Sequence, residues 1–385
     1  MKKMLQDFDR IHTKKAVKRS IRKTIVFEGS GDATFGHRSF QTLFGKPILD
    51  VPITLDFVKT RMDDRLTEFL GDLEFLFSHY PHIYLSFERT KEVRLPMLLT
   101  IYAIQDKYNG KISTIWSKES KFVNWSIIDS GSFAPAKLRT ATLFDNEHSF
   151  IPVISGSNEQ FLDLSDDLVD AIRDKYYKGC MPANIESRIS QAIIETLENV
   201  GRHAYPDEPL DENQKWWLIC SLSAPGKDDE RLMYLAIYDS GRGIPLSFPD
   251  SKVFQNRVKI NYPEEFDQLV HGEQVDQSKS GTITKLVRNM KTLITPLRDT
   301  IGDSGLIHAS MMHDMTRLDD DNHGQGSVSI KDVVTDDPHS NLIILSNKGC
   351  YQYNKGSEKE HMRFELQNEL SGTLVQWSIK LDELC

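Results

Sequence analysis

At 385 residues, 39% hydrophobic and 27% charged, the chain is long enough for two ordinary domains, each with its own buried core. It holds no apolar run near the roughly 18 residues that a membrane span needs, so no membrane partner is expected and a cytoplasmic protein is. The net charge of −9 disfavours a surface built for nucleic acid.

Residues 1–35 form a basic N-terminal segment, with nine Lys and Arg between Lys2 and Lys23. It lacks the apolar stretch and small-residue cleavage site of a secretory signal, so export is not expected. A solvated helix face is the plain reading of that charge run, and docking of an acidic partner or nucleic acid is the alternative. Cys180, Cys220, Cys350 and Cys385 are scattered without CxxC spacing, which fits reduced thiols and suggests no zinc site.

In chain order, "KTIVFEG" (23–29) reads as a strand and "GSGDATFGH" as a turn-rich loop, and "PITLDF" (52–57) is a further strand candidate. In "RLTEFLGDLEFLFSHY" (65–80), Leu66, Phe69, Leu70, Leu73, Leu76 and Phe77 recur at helical spacing and make one core-facing stripe. "HIYLSFER" (82–89) alternates like a strand. "LPMLLTIYAIQDKY" (95–108) is a helix with Pro in its first turn, and "KISTIWS" (111–117) is again a strand. With "KFVNWSIIDSG" as a closing helix, the order β-α-β-α-β predicts a compact α/β unit over about 40–135, inside a first domain placed at 36–150.

Residues 136–180 read as transitional, with 151–180 as the connecting segment. They hold a strand-like "FIPVIS" and a helix "DDLVDAIRDKYY" that Ser165 would cap. A second domain at 181–385 opens on the strong helix "IESRISQAIIETLENVGRHAY" (185–205). "KWWLICSLSA" and "RLMYLAIYDS" are strands joined by a "PGKDDE" turn, which predicts an antiparallel hairpin. Strand signal returns only at "NLIILSNKG", "HMRFEL" and "TLVQWSIKL". The polar, partly helical stretch between, 246–323, reads as a lid or mobile segment.

The chemistry centres on Glu195, Asn199 and His203, whose i, i+4, i+8 spacing projects them from adjacent turns of one helix face. A carboxylate there can take a proton from water or a hydroxyl, and an Asn amide oxygen is a hard ligand suited to Mg2+. Alone, such a stripe is usually a wet helix face. "DSGRGIP" (239–245) changes this reading. Asp239 at a strand end can accept a hydrogen bond from an exocyclic amine, while Gly241 and Gly243 let backbone approach a flat base. A third element, "NHGQGSVSIKDVV" (322–334), sets Gly324 and Gly326 ahead of a helical segment, an arrangement suited to phosphates.

Together these residues resemble the GHKL ATPase superfamily, which includes histidine kinases, gyrase-type topoisomerases, MutL and heat-shock chaperone ATPases. "ETLENVGRHA" looks like the N box, "DSGRGIP" like the G1 box and "HGQGSVSI" like the glycine pair of the G2 box. "SGTLVQWSIKL" (371–381) resembles the domain's last strand. The steps of four look most like those of the anti-sigma serine kinases and of stand-alone bacterial ATP-binding proteins. The resemblance spans about 180–385 and implies a GHKL-type α/β sandwich with a mixed, mostly antiparallel sheet and a long ATP lid. It implies ATP and Mg2+ as ligands. Glu195 would be the base, Asn199 would hold Mg2+, and Asp239 would read the adenine amine with Gly241, Gly243 and Ile244 around the base. Gly324, Gln325 and Gly326 would cradle the phosphates, and Thr373 would lie near adenine. Ser327 stands where many G2 boxes have Leu, which softens the phosphate-loop assignment. For His203, phosphate contact and helix capping both stay open.

The first domain is similar in element order to a STAS-like fold, which is known for docking and regulation; that likeness is an analogy. Three activities follow as expectations: ATP hydrolysis used as a switch on a protein partner, which the N-terminal domain or the lid would contact; protein serine/threonine or histidine kinase activity; and nucleotide binding without turnover. Of these, hydrolysis is preferred, because Glu195 and Asn199 are both present. A histidine autokinase would need its acceptor ahead of the ATP domain, whereas the one suggestive match, "HDMTR" at His313, follows the G1 box. Superfamily members often dimerise, so a homodimer is implied too, although no heptad seam appears.

Overall fold

The structure is a computed structural model that describes residues 23–27, 38–60, 65–145, 148–206, 214–223, 231–271, 290–312 and 326–381. It is an α/β protein that divides into two compact units, Met1–Pro135 and Ala136–Cys385. The basic segment before Lys23 and most of the turn-rich loop after Phe27 lie outside the described residues.

The first unit is built on a five-stranded sheet ordered β1 (Lys23–Phe27), β2 (Arg38–Leu43), β3 (Lys46–Asp50), β5 (His82–Ser86), β7 (Lys111–Ile115). The β1–β2–β3 pairings are antiparallel and the β3–β5–β7 pairings are parallel. Helices α1 (Arg65–His79) and α2 (Leu95–Lys107) make the crossovers, as parallel neighbours require. Of the stripe read from the sequence, Leu66, Phe69, Leu73, Leu76 and Phe77 form the buried face of α1, while Leu70 is half-buried. "PITLDF" is not the sheet strand expected of it. Only Thr54–Leu55 (β4) extends, pairing with Glu92–Val93 (β6), and "KPILD" takes the place in the main sheet. The reason lies at Asp56, whose carboxylate accepts from the N–H groups of Val58 and Lys59 and so turns the chain two residues after β4. Ser120 caps the closing helix α3 (Lys121–Asp129).

The second unit starts earlier than the sequence suggests. Helix α4 (Ala136–Leu143) and strand β8 (Ile151–Ser157) belong to it, and the supposed connecting segment supplies the edge of its sheet. Its strand order is β11 (Asn341–Tyr353), β12 (His361–Lys380), β10 (Leu232–Asp239), β9 (Lys215–Leu222), β8. Every pairing in this sheet among the described residues is antiparallel, where a mixed, mostly antiparallel sheet was expected. The two C-terminal strand signals merge into the single twenty-residue β12. Helices α5 (Phe161–Tyr176) and α6 (Ala183–Asn199) cover one face and share a core with the sheet through Leu168, Ile172, Ile189, Ile193 and Trp377. Ser165 does not cap α5. It lies inside that helix, buried, its hydroxyl donating to the Leu162 carbonyl, because the helix begins four residues earlier at Phe161.

The stretch read as a lid is strongly helical where it is described. After α7 (Ile244–Ser247) and a 3-10 turn at Phe248–Asp250 come α8 (Lys252–Asn261), α9 (Pro263–His271) and α10 (Met290–Met311). They enclose a core of their own from Phe248, Phe254, Val258, Tyr262, Leu297 and Leu306. A helical satellite on the β11 side of the sheet is therefore what most of that insertion folds into. Helix α11 (Gly326–Asp332) packs on α6, pinned where the Trp377 indole N–H donates to the Ile330 carbonyl at 2.7 Å. Residues 272–289 and 313–325, with His313, Gly324 and Gln325, lie outside the described residues.

Candidate functional site

In the second unit a mostly apolar cavity of about 460 Å³ opens. Glu195, Asn199 and His203 form one of its walls, and Asp239, Gly243, Ile244 and Thr373 also line it. Sequence elements separated by up to 178 positions, Glu195 to Thr373, thus meet at one opening. Their junction follows from sheet register. Asp239 is the last residue of β10 and pairs directly with Thr373 of β12, so the G1-like loop and the C-terminal strand are neighbours by hydrogen bonding.

Asp239 is buried, and its carboxylate accepts from the Gly241 N–H at 2.9 Å. Burial pushes its pKa up to about 7, while backbone hydrogen bonds from Gly241 and Thr373 pull the other way. Two glycines make this corner possible. Gly372 has φ 85°, and a Cβ there would stand 1.9 Å from the Asp239 carbonyl oxygen. Gly243 has φ 87°, and a Cβ would stand 2.4 Å from Asn347 Oδ1. Gly241 is not a wall residue; its part is the N–H that holds Asp239. The Ile244 N–H is likewise taken, donating at 2.9 Å to the Ser346 hydroxyl.

The helix carrying Glu195 does not run straight to His203. After Asn199 it widens into a π-helical turn over Val200–Ala204, a feature that recurs at functional sites because it re-aims side chains within a helix. The turn is braced from the G1-like loop. Arg242 donates through Nε to the His203 carbonyl at 2.8 Å and through its backbone N–H to the Ala204 carbonyl at 2.9 Å. Beyond it, the Tyr205 hydroxyl donates to the Lys215 carbonyl and accepts from the Ser240 N–H. Tyr205, directly after the π turn, therefore ties it to β9 and to the loop after β10.

Burial raises the Glu195 pKa, with Glu198 adding to the effect and Arg202 opposing it. For His203, burial and then Arg242 and Arg202 lower it, which favours the neutral imidazole. His203 lines the cavity, and its carbonyl accepts from Arg242. The apolar walls come from Val200, Ile237, Ile330, Ile344 and Val375, with Met311 at the satellite side. Helix α11, which Gly326 begins, contributes Ile330 to the wall. Among the described residues no group of three or more His, Cys, Asp or Glu side chains could hold a metal ion.

Several residues of the site give no motif in the sequence. Ser346 is fully buried; its hydroxyl accepts from Ile244 and donates to the Gly372 carbonyl, linking both loops beside Asp239. Asn347, with φ 51°, stands at the β-bulge of β11 and donates to the Arg242 carbonyl. The only trace of them was a polar Ser-Asn-Lys-Gly step closing an apolar strand. Lys252, Arg257 and Ser310 enter the wall from the satellite, where spacing gave no hint. No protein-family model, curated protein or solved structure matches the chain.

Proposed function

We propose that the second unit is a GHKL-type domain that binds ATP with Mg2+ and hydrolyses it at the γ-phosphate. The observation that carries this reading is the convergence of a buried carboxylate, Asp239, with the wall of Glu195, Asn199 and His203 on one half-apolar cavity. Its volume falls in the range of small-molecule sites, which runs from about 300 to 1,000 Å³. The corner at Asp239 suits an aminopurine edge: an ionised carboxylate held by two backbone amides accepts the exocyclic N–H, and Ile237, Ile344 and Val375 offer apolar surface to the ring. The missing β-carbon of Gly243 lets Ser346 and Asn347 pack against the loop, which holds Gly243 at the cavity wall.

Mg2+ fits the donor set only as an ion held mainly by water and phosphate oxygens, with Asn199 supplying a side-chain oxygen. It would supply neutralisation of the phosphate charge. The chain's own part is positioning and proton transfer. Glu195, made more basic by burial and by Glu198, takes the proton of an attacking water. Neutral His203 can donate or accept at a phosphate oxygen without adding a charge. The assignment of Gly324 and Gln325 to the phosphates concerns residues outside those described.

The first unit, with its parallel β3–β5–β7 core and intervening helices, suits a STAS-like docking role; this rests on element order alone. ATP turnover in the second unit would then act as a switch on a protein partner in the cytoplasm. No helix of the described residues is long and apolar enough to cross a membrane. The test is release of labelled phosphate from ATP by the purified chain. Release should vanish in Glu195→Ala while nucleotide is retained; an unchanged rate in that variant would sink the assignment. Label transferred to a protein hydroxyl or imidazole would instead establish kinase activity.

A further inference from the structure

Among the described residues, three cationic side chains other than histidine line the cavity: Arg202, Lys252 and Arg257. Arg202 and Lys252 are exposed, and Arg202 is paired with Glu198 at 2.6 Å. Arg257 differs in being 8% exposed. It projects from α8 of the satellite, between the core residues Phe254 and Val258, and its guanidinium donates to the Ser310 carbonyl at 2.5 Å. Ser310 and Met311 close α10 and line the same cavity, so the guanidinium is fixed at the wall by a backbone atom.

A buried guanidinium is expensive to desolvate, and its planar fork of N–H donors matches phosphate oxygens in pairs. Positive charge is already concentrated at this junction. Lys331 of α11 is held below its usual pKa by burial and then by Arg257, with Asp332 and Glu360 opposing. A polyanion seated against Arg257 would relieve that repulsion. The sheet-side corner at Asp239, in contrast, is shaped for an uncharged hydrogen-bond donor, not an anion.

We propose that Arg257 binds the terminal phosphates of the nucleotide, so that the cavity selects a nucleoside triphosphate over the monophosphate, with the satellite helices supplying the selecting charge. This rests on the reading of the cavity as an adenine-nucleotide site. Charge-assisted hydrogen bonds of this kind correspond to roughly a 10- to 100-fold change in affinity.

The experiment is competition binding of AMP, ADP and ATP to the full chain with Mg2+ present, for the unaltered protein, Arg257→Ala and Arg257→Lys. Arg257→Ala should lose roughly 10- to 100-fold in ATP affinity and leave AMP affinity nearly unchanged, with Arg257→Lys recovering part of the loss. The ratio of ATP to AMP affinity is the readout, because it does not depend on the fraction of folded protein. An unchanged ratio in Arg257→Ala overturns the proposal while leaving the adenine site intact. Parallel loss of AMP and ATP in both variants would assign Arg257 to bracing α10 alone and overturns it too. If the unaltered chain binds none of the three, the adenine reading fails and this proposal with it.

Discussion

Two aspartates, Asp56 of the first unit at 3% exposure and Asp239 of the second at 5%, are buried to nearly the same degree, yet their surroundings differ in kind. Asp56 accepts from the N–H groups of Val58 and Lys59 on one oxygen and from Arg94 Nε at 3.1 Å on the other. Its charge is compensated by a cation, and it shapes a turn. Asp239 is held by two backbone amides and makes no ion pair among the described residues, and its pKa is pushed up to about 7 beside an open cavity. Burial at equal depth thus goes with a structural ion pair at Asp56 and with an open cavity at Asp239. The distinguishing quantity is what compensates the charge.

The comparison can be broken most forcefully at the chemistry. Glu195→Gln keeps the shape of the wall but removes the base, so phosphate release should fall by about 10²- to 10⁴-fold while ATP still binds. Equal turnover would leave the wall without a chemical role.

Next comes the pH dependence of folding. A carboxylate whose folded pKa is raised from 3.8 to about 7 contributes most stability to the nucleotide-free protein below 3.8, and that contribution is lost as pH climbs through 7. Asp239→Asn removes the titration, so the variant should gain relative to the unaltered chain between pH 4 and 8, by at most about 4 kcal/mol. Chemical denaturation across that window reads it. Parallel profiles for the two proteins would mean that Asp239 is solvated.

At Gly372 the expected loss is about 1–3 kcal/mol, since Gly372→Ala places a methyl group against the Asp239 carbonyl at a positive φ. ATP affinity should drop with it. In the first unit, Asp56→Ala should lower stability by about 2 kcal/mol by leaving two amides and Arg94 without their acceptor. ATP affinity should not follow, and a shared loss would contradict the separation of structural and functional carboxylates.

Much of this was legible before any coordinates. The helical stripe of α1, the hairpin of β9 and β10 and the strength of α6 are local patterns, set by periods of 3.6 and 2. Glu195 and Asn199 could be picked out by their spacing, Asp239 and Gly243 by their place at a strand end, and Thr373 only through the resemblance of the last strand to that of a known family. What could not be read depends on long-range pairing. Nothing local says that "FIPVIS" pairs with β9 as an edge strand, or that Ser346 closes the corner between Ile244 and Gly372. The π turn at Val200–Ala204 is also invisible to a periodicity argument, because the spacing of four from Glu195 to Asn199 simply continues to His203 inside it. Arg257 sits in a helix whose polar sequence suggested a loose lid, and only the satellite's packing brings it to the wall.

The most direct test of the central claim is calorimetric titration of ATP with Mg2+ into the full chain and into Asp239→Asn at pH 8, where the native carboxylate is ionised. Saturable binding to the unaltered chain, weakened by roughly 10- to 100-fold in the variant, is the expected result. Binding of equal strength in both proteins, or none in the unaltered chain, would contradict it.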